Sequence, residues 1–171
     1  MKIRTEHPHD HQEVFNLNYK AFGKREDESR LIERIRKSDN FIPGLSLVAE
    51  LDRKIVGHLL ISKATLKDGN EETEVLVLAP IAVNPEMQKS GIGSALIEEG
   101  LRRSKELEYG LVFLIGHPSY YPRFGFKPGR DYQFDLKQYN VPNDVFMVKE
   151  LREGDLLKVS GELLYPESFF K

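Results

Sequence analysis

Apolar positions recur with two different periods along this chain, and each change of period marks an element. Residues 2–5 read as a short first strand. From about Gln12 to Phe22, the residues Val14, Phe15, Leu17, Asn18, Ala21 and Phe22 form one stripe of a 3.6-residue repeat. That predicts an amphipathic helix, which Gly23 ends. A second helix is predicted from about Asp27 to Lys37, with Leu31, Ile32 and Ile35 inward and charges outward. The pattern then changes. Leu45–Leu51 and Ile55–Leu66 are dense in branched residues and flank Asp52-Arg53-Lys54, which predicts a hairpin. Asp68-Gly69-Asn70 is a second turn. The strand after it runs from roughly Glu72 to Val83 and is apolar from Val75 onward, as expected of burial on both faces.

Next come Asn84-Pro85-Glu86-Met87, then Gln88-Lys89-Ser90-Gly91-Ile92-Gly93, then helix formers from Ser94 to Leu107. Leu111–Ile115 is a short apolar strand. Strand, helix and strand over this length make a βαβ unit, so Leu111–Ile115 should run parallel to the strand ending at Val83. After Gly116-His117-Pro118-Ser119 and an aromatic segment from Tyr120 to Phe126, a clear strand is predicted at Val145–Leu151 and another near Tyr132–Phe134. The tail, Leu163 to Phe170, is apolar enough to dock back on the domain.

At 171 residues the expectation is one domain with a substantial core. A net charge of −2 gives no reason to expect a nucleic acid or a membrane as partner. The chain has no cysteine, so disulfides, thiolate metal sites and a cysteine nucleophile are excluded. The absence of an apolar signal core or spanning run suits a cytoplasmic protein. His7-Pro8-His9-Asp10-His11 raises a metal reading, but no further ligand set completes a site. Asp10 as a helix N-cap, with histidines at the exposed helix start, explains the segment more simply, and no metal is expected.

The chemistry concentrates between Leu76 and Leu107. A strand, a glycine-bearing loop and a helix start leave backbone N–H groups bare, and the helix dipole favours an anion there. A dinucleotide fingerprint fails, because Leu96 stands where its last glycine belongs, and no Walker A run is present. What remains is Gln-x-x-Gly-x-Gly, filled by Gln88, Gly91 and Gly93. Pro80 lacks an N–H and marks a bulge or a break in the ladder. Past it, Ile81, Ala82 and Val83 would be open to an extended ligand with its own amides. Taken alone, Pro80 reads more simply as an ordinary edge or strand-end proline.

With Gln88-Lys89-Ser90-Gly91-Ile92-Gly93 in place, and with Tyr121, Gly125 and Phe126 meeting Tyr-x-x-x-Gly-Phe, the chain resembles the GCN5-related N-acetyltransferase (GNAT) superfamily over about residues 1 to 150. The short loop before Tyr120-Tyr121 is similar to a branch reading Gly-x-Pro-x-Tyr-Tyr-x-x-Phe-Gly-Phe. The Asn-x-x-Ala common elsewhere in the family is absent. The resemblance implies the GNAT fold, of α/β (α+β) class. Its mixed central sheet would have about six to seven strands, mostly antiparallel with one parallel βαβ pair, and helices on both faces. It implies a single N-acetyltransferase domain over 1–171, with a core of about 1–150 and an extension, 151–171, docking on it.

The resemblance also implies acetyl-CoA as co-substrate. Its diphosphate would sit on the amides of Gln88, Lys89, Ser90, Gly91, Ile92, Gly93 and Ser94, and its pantetheine would lie along Ile81, Ala82 and Val83. Tyr121 aligns with the family's general acid, since a phenol near pKa ~10 matches a thiol leaving group. The base is unassigned among Glu74, Glu72 and His117, with His58 a further alternative. Phe22, Arg25 and Glu28 are candidates for acceptor contact. The acceptor would be a small-molecule amine or a peptide N-terminus. Dimers are common in the family, so a homodimer is one expectation. A non-catalytic acyl-CoA-sensing module on the same fold is the alternative function.

Overall fold

The computed structural model describes residues 1–171. The chain opens with strand β1 (Lys2–Thr5), then helices α1 (His11–Ala21) and α2 (Asp27–Arg36). Strand β2 (Ser46–Leu51) turns into β3 (Lys54–Asp68) through Asp52 and Arg53, both at positive φ, 51° and 65°. Two left-handed residues match the twist of the strands they join. β3 pairs over its length with β4 (Glu71–Val83). Helix α3 (Ile92–Glu106) leads to β5 (Leu111–Ile115). Short strands β6 (Lys127–Pro128) and β7 (Phe134–Asp135), then β8 (Phe146–Glu150), helix α4 (Asp155–Lys158) and β9 (Gly161–Leu164) complete the chain.

The sheet runs β1-β2-β3-β4-β5-β8-β6, antiparallel except where β5 joins β4. β9 lies off this path. It pairs with Thr65–Lys67 of β3 and makes a second, two-residue parallel pair with β7 that the pattern did not suggest. The strand sought near Tyr132–Phe134 begins only at Phe134, because Gly129–Tyr132 forms a 3-10 turn.

Alternate residues of β2 and β3 point to opposite faces. Leu47, Ala49, Leu59 and Ile61 pack with Ile92, Leu96 and Ile97 of α3. Val48 and Leu60 pack with Val14, Leu17, Ile32 and Ile35 of α1 and α2. A third cluster joins Phe113, Phe134 and Phe146 to Leu163 and Tyr165 of the tail. Two glycines let α3 lie close on β3. A Cβ on Gly57 would stand 2.8 Å from Ile92, and one on Gly100 would stand 2.9 Å from Ile61.

Two features of the β4 ladder position the site. Leu59 faces Ile81 while Ile61 faces Leu78, so Ala79 and Pro80 share the place opposite Leu60 as a bulge. On its other side, β4 pairs with β5 only at Leu76–Val112 and Val77–Phe113. Beyond Leu78 the two parallel strands separate. The residues past Pro80 therefore keep a neighbour on the β3 side and are open on the β5 side.

Asp10 departs from its expected role. It occupies the N-cap position of α1 but makes no side-chain cap bond. Its buried carboxylate instead pairs with the Arg4 guanidinium at 2.8 Å and accepts the His7 N–H at 2.7 Å. The Arg4 hydrogen bond holds its pKa down at about 2.

Candidate functional site

The open edge of β4 has a definite polarity. The Asn84 N–H donates to Val56 O on β3 at 2.9 Å. Backbone groups in an antiparallel pair alternate sides, so Ala82 also faces β3, while Ile81 and Val83 direct their N–H and C=O groups away from it. Ile81, Ala82 and Val83 thus lie together at one edge, but two of the three present free backbone there.

The glycine loop begins where that edge ends. Asn84 Oδ1 accepts the Glu86 N–H at 3.0 Å and starts a 3-10 turn over Pro85–Met87. The Ser90 hydroxyl donates to the Met87 carbonyl. Lys89 at φ 66° and Gly91 at φ 89° then swing the chain into α3. Gly91 is the N-cap, and its carbonyl accepts the Ala95 N–H at 3.0 Å. The N–H groups from Gln88 through Ser94 donate to no backbone carbonyl. The first turn of α3 carries no acidic residue. The result is a run of bare donors at a positive helix end, with no competing carboxylate in that turn.

The aromatic segment closes over this place. The Tyr120 and Tyr121 N–H groups both reach the His117 carbonyl, at 3.2 and 3.4 Å, and Tyr121–Phe124 forms a 3-10 turn ended by Gly125 at φ 93°. The Tyr121 ring lies edge-on to Tyr120 and Phe126 and fills the space above Gly116, where any Cβ would collide with it. Burial, with a smaller contribution from Tyr120, pushes its phenol up to about 12, above the ~10 at which a phenol would match a thiol leaving group. The Tyr120 hydroxyl sits 3.2 Å from Ser94 Oγ in the first turn of α3. Sequence reasoning missed this pair, because the residues are distant in sequence and each is ordinary alone.

The base candidates separate. Glu72 and Glu74 stand exposed on the opposite arm of β4, roughly 36 and 30 Å of strand from Val83 at about 3.3 Å per residue. Glu74 accepts the Tyr109 hydroxyl at 2.6 Å, at the far end of α3, where a cleft of about 460 Å³ also includes Arg152, Asp155 and Lys158. Neither carboxylate reaches Tyr121. His117 is exposed and begins the tyrosine loop. His58, opposite Ala82, is fully buried on the α1–α2 face. Its Nε2 lies 3.2 Å from Ser46 Oγ and 3.8 Å from the Glu6 carboxylate, and burial pulls its pKa down to about 4. Glu28 is half-buried and 3.5 Å from Arg25, both beside the start of α2. No group of three or more histidine or acidic side chains is arranged to hold a metal, and no helix is long and apolar enough to cross a membrane.

Known proteins resemble this chain in sequence and in fold. The Acetyltransferase (GNAT) domain family matches residues 2–129. YjhQ of Escherichia coli, an uncharacterized N-acetyltransferase, is 36% identical over 119 residues, 70% of this chain, and the match spans 65% of that protein's length. YhbS, also of Escherichia coli, is 30% identical over 171 residues, covering 99% of this chain and 98% of the relative. The crystal structure of YhbS in complex with CoA superimposes with a TM-score of 0.90 at 26% identity, covering 99% of this chain and 92% of that one. A GNAT acetyltransferase from Brucella melitensis in complex with acetyl-CoA gives a TM-score of 0.78 at 27% identity, covering 98% of this chain and 97% of the other. The chain belongs to the GNAT acetyltransferase family and has its fold.

Proposed function

We propose that this protein is an acetyl-CoA-dependent N-acetyltransferase that moves an acetyl group to a primary amine by direct attack. One observation carries the reading: the bare amides of Gln88 through Ser94 adjoin the free backbone edge of Ile81 and Val83. An anion held at the first and an amide-bearing arm paired along the second describe the two halves of coenzyme A. The CoA and acetyl-CoA bound to the YhbS and Brucella structures support the same ligand here.

The chemistry follows from the groups around that edge. A neutral amine attacks the thioester carbonyl, a C–N bond forms, and the oxyanion accepts a hydrogen bond from the free N–H of Ile81. Collapse breaks the C–S bond, and Tyr121 gives its proton to the departing thiolate. His117, on the same loop as Tyr121, takes the amine's proton directly or through water. The acceptor is a small-molecule amine or a peptide N-terminus. We take 1–171 as one acetyltransferase domain, with a core of about 1–150 and a docked tail, acting in the cytoplasm as a monomer or homodimer.

Titration calorimetry with CoA, followed by thiol release from acetyl-CoA against a panel of amines, tests this. Wild type should bind CoA and turn over at least one amine. Tyr121→Phe should bind CoA and lose turnover by about a hundredfold or more. Failure to bind CoA would sink the reading. Binding with no turnover on any amine would favour the acyl-CoA-sensing alternative.

A further inference from the structure

The proposed site uses Tyr121 and leaves its neighbour without a role. Tyr120 packs edge-on against Tyr121 and Phe124, with centroids 5.1 and 5.3 Å away. A phenylalanine would make those same contacts, so packing does not explain the hydroxyl. The position of that hydroxyl is informative. It lies 3.2 Å from Ser94 Oγ. A Cβ built on Gly93 would stand 3.4 Å from the same oxygen and 3.7 Å from Val83. The Tyr120 oxygen therefore sits where the open edge of β4 meets the bare start of α3.

We propose that the Tyr120 hydroxyl, tied to Ser94 at the amino end of α3, is a ligand of the coenzyme that donates a hydrogen bond to its diphosphate. The inference rests on the function proposed above and adds a residue to that site. A hydroxyl both donates and accepts. Ser94 Oγ–H can donate to the Tyr120 oxygen, which leaves the phenolic proton directed at an anion seated on the amides. The Arg123 guanidinium lies 4.6 Å over the Tyr120 ring, and its Nε donates to the Tyr120 carbonyl at 3.1 Å. A cation on the ring face makes the phenol a better donor and adds positive charge beside the diphosphate. The two tyrosines then divide the work: Tyr120 holds the coenzyme's anionic half, and Tyr121 serves the thioester.

CoA affinity by calorimetry tests the idea without an identified acceptor. Tyr120→Phe keeps the ring packing and should weaken CoA binding about tenfold, as expected for a lost hydrogen bond to a charged group. Its ligand-free unfolding midpoint should match that of wild type, which separates lost affinity from misfolding. Ser94→Ala should also weaken binding. Because the two hydroxyls act as one unit, the double variant should bind no worse than about twofold below Tyr120→Phe alone. CoA affinity of Tyr120→Phe within twofold of wild type overturns the proposal, and so do fully additive losses in the double variant. If wild type itself does not bind CoA, the coenzyme reading of the loop fails before this one is reached.

Discussion

At the residue scale, burial sets the behaviour of the two groups whose titration matters most. Tyr121 is pushed up to about 12. An acid raised that far stays protonated throughout the range in which amines lose their protons. Turnover should therefore rise with pH as the acceptor becomes neutral, with no falling limb from Tyr121 below about pH 11. A kcat profile from pH 7 to 10.5 checks this, and a decline centred near 9 to 10 would count against a buried acid. His58 moves the other way, down to about 4. Its unfolded-state pKa is near 6.5, so between about pH 6.5 and 4 the unfolded chain binds more protons than the folded one. The stability from a neutral His58 is fully present above pH 6.5 and is lost as pH falls towards 4, by on the order of 3 kcal/mol. Glu6 opposes the shift and Arg36 and His11 add to it. Urea unfolding at pH 7 and 4.5 should show a smaller pH difference for His58→Gln than for wild type. Parallel curves would show that the titration lies elsewhere.

At the element scale, α3 is aimed by what lies under it and by how it begins. Gly57 and Gly100 let the helix settle on β3, which brings its amino end to the mouth of the split between β4 and β5. The two loop glycines serve different ends. Gly91 sits at φ 89°, where a side chain is strained, yet a Cβ there would meet no protein atom within 4 Å. Gly93 has ordinary helical geometry beside Tyr120 and Val83. Gly91→Ala should lower stability by about 1 kcal/mol through backbone strain. Gly93→Ala should change unfolding by no more than about 0.5 kcal/mol but reduce CoA affinity by crowding the cradle. Denaturation and calorimetry on the pair would expose any reversal of that order.

Much of this element-level picture was legible in the sequence. Branched runs around Asp52-Arg53 gave the hairpin, and Pro80 marked an irregularity in the ladder that the register shows to be a bulge, because both are local. What the pattern did not foresee depends on distant partners. Asp10 is claimed by Arg4 rather than by its own helix. Glu74 is engaged by Tyr109 at the wrong end of the strand. Ser94 and Tyr120 meet only because β5 returns beside α3. No spacing rule relates such residues, so a pattern read along the chain passes over them.

At the scale of the whole molecule, the contacts of the tail predict that the chain unfolds as one cooperative unit. β9 completes a side of β3 at Thr65–Lys67. Leu163 and Tyr165 are buried among Phe113, Phe134 and Leu66. Arg34 on α2 donates to the Ser168 carbonyl at 2.8 Å, and the Tyr165 N–H donates to Gln138 at 2.7 Å. These contacts span both ends of the sequence, so losing the tail should be felt throughout the sheet. Removing Leu163 and Tyr165 from the core forfeits roughly 2 to 5 kcal/mol for each. Truncation after Val159 should lower the thermal midpoint by about 10 °C or more, at about 2–4 °C per kcal/mol for a chain of this size. Leu163→Ala, which keeps the strand, should produce part of that loss. The glycine loop lies at the other end of β4, so any truncated chain that folds should still bind CoA near its original affinity. An unchanged midpoint after truncation would make the tail an appendage and confine the domain to the residues before it.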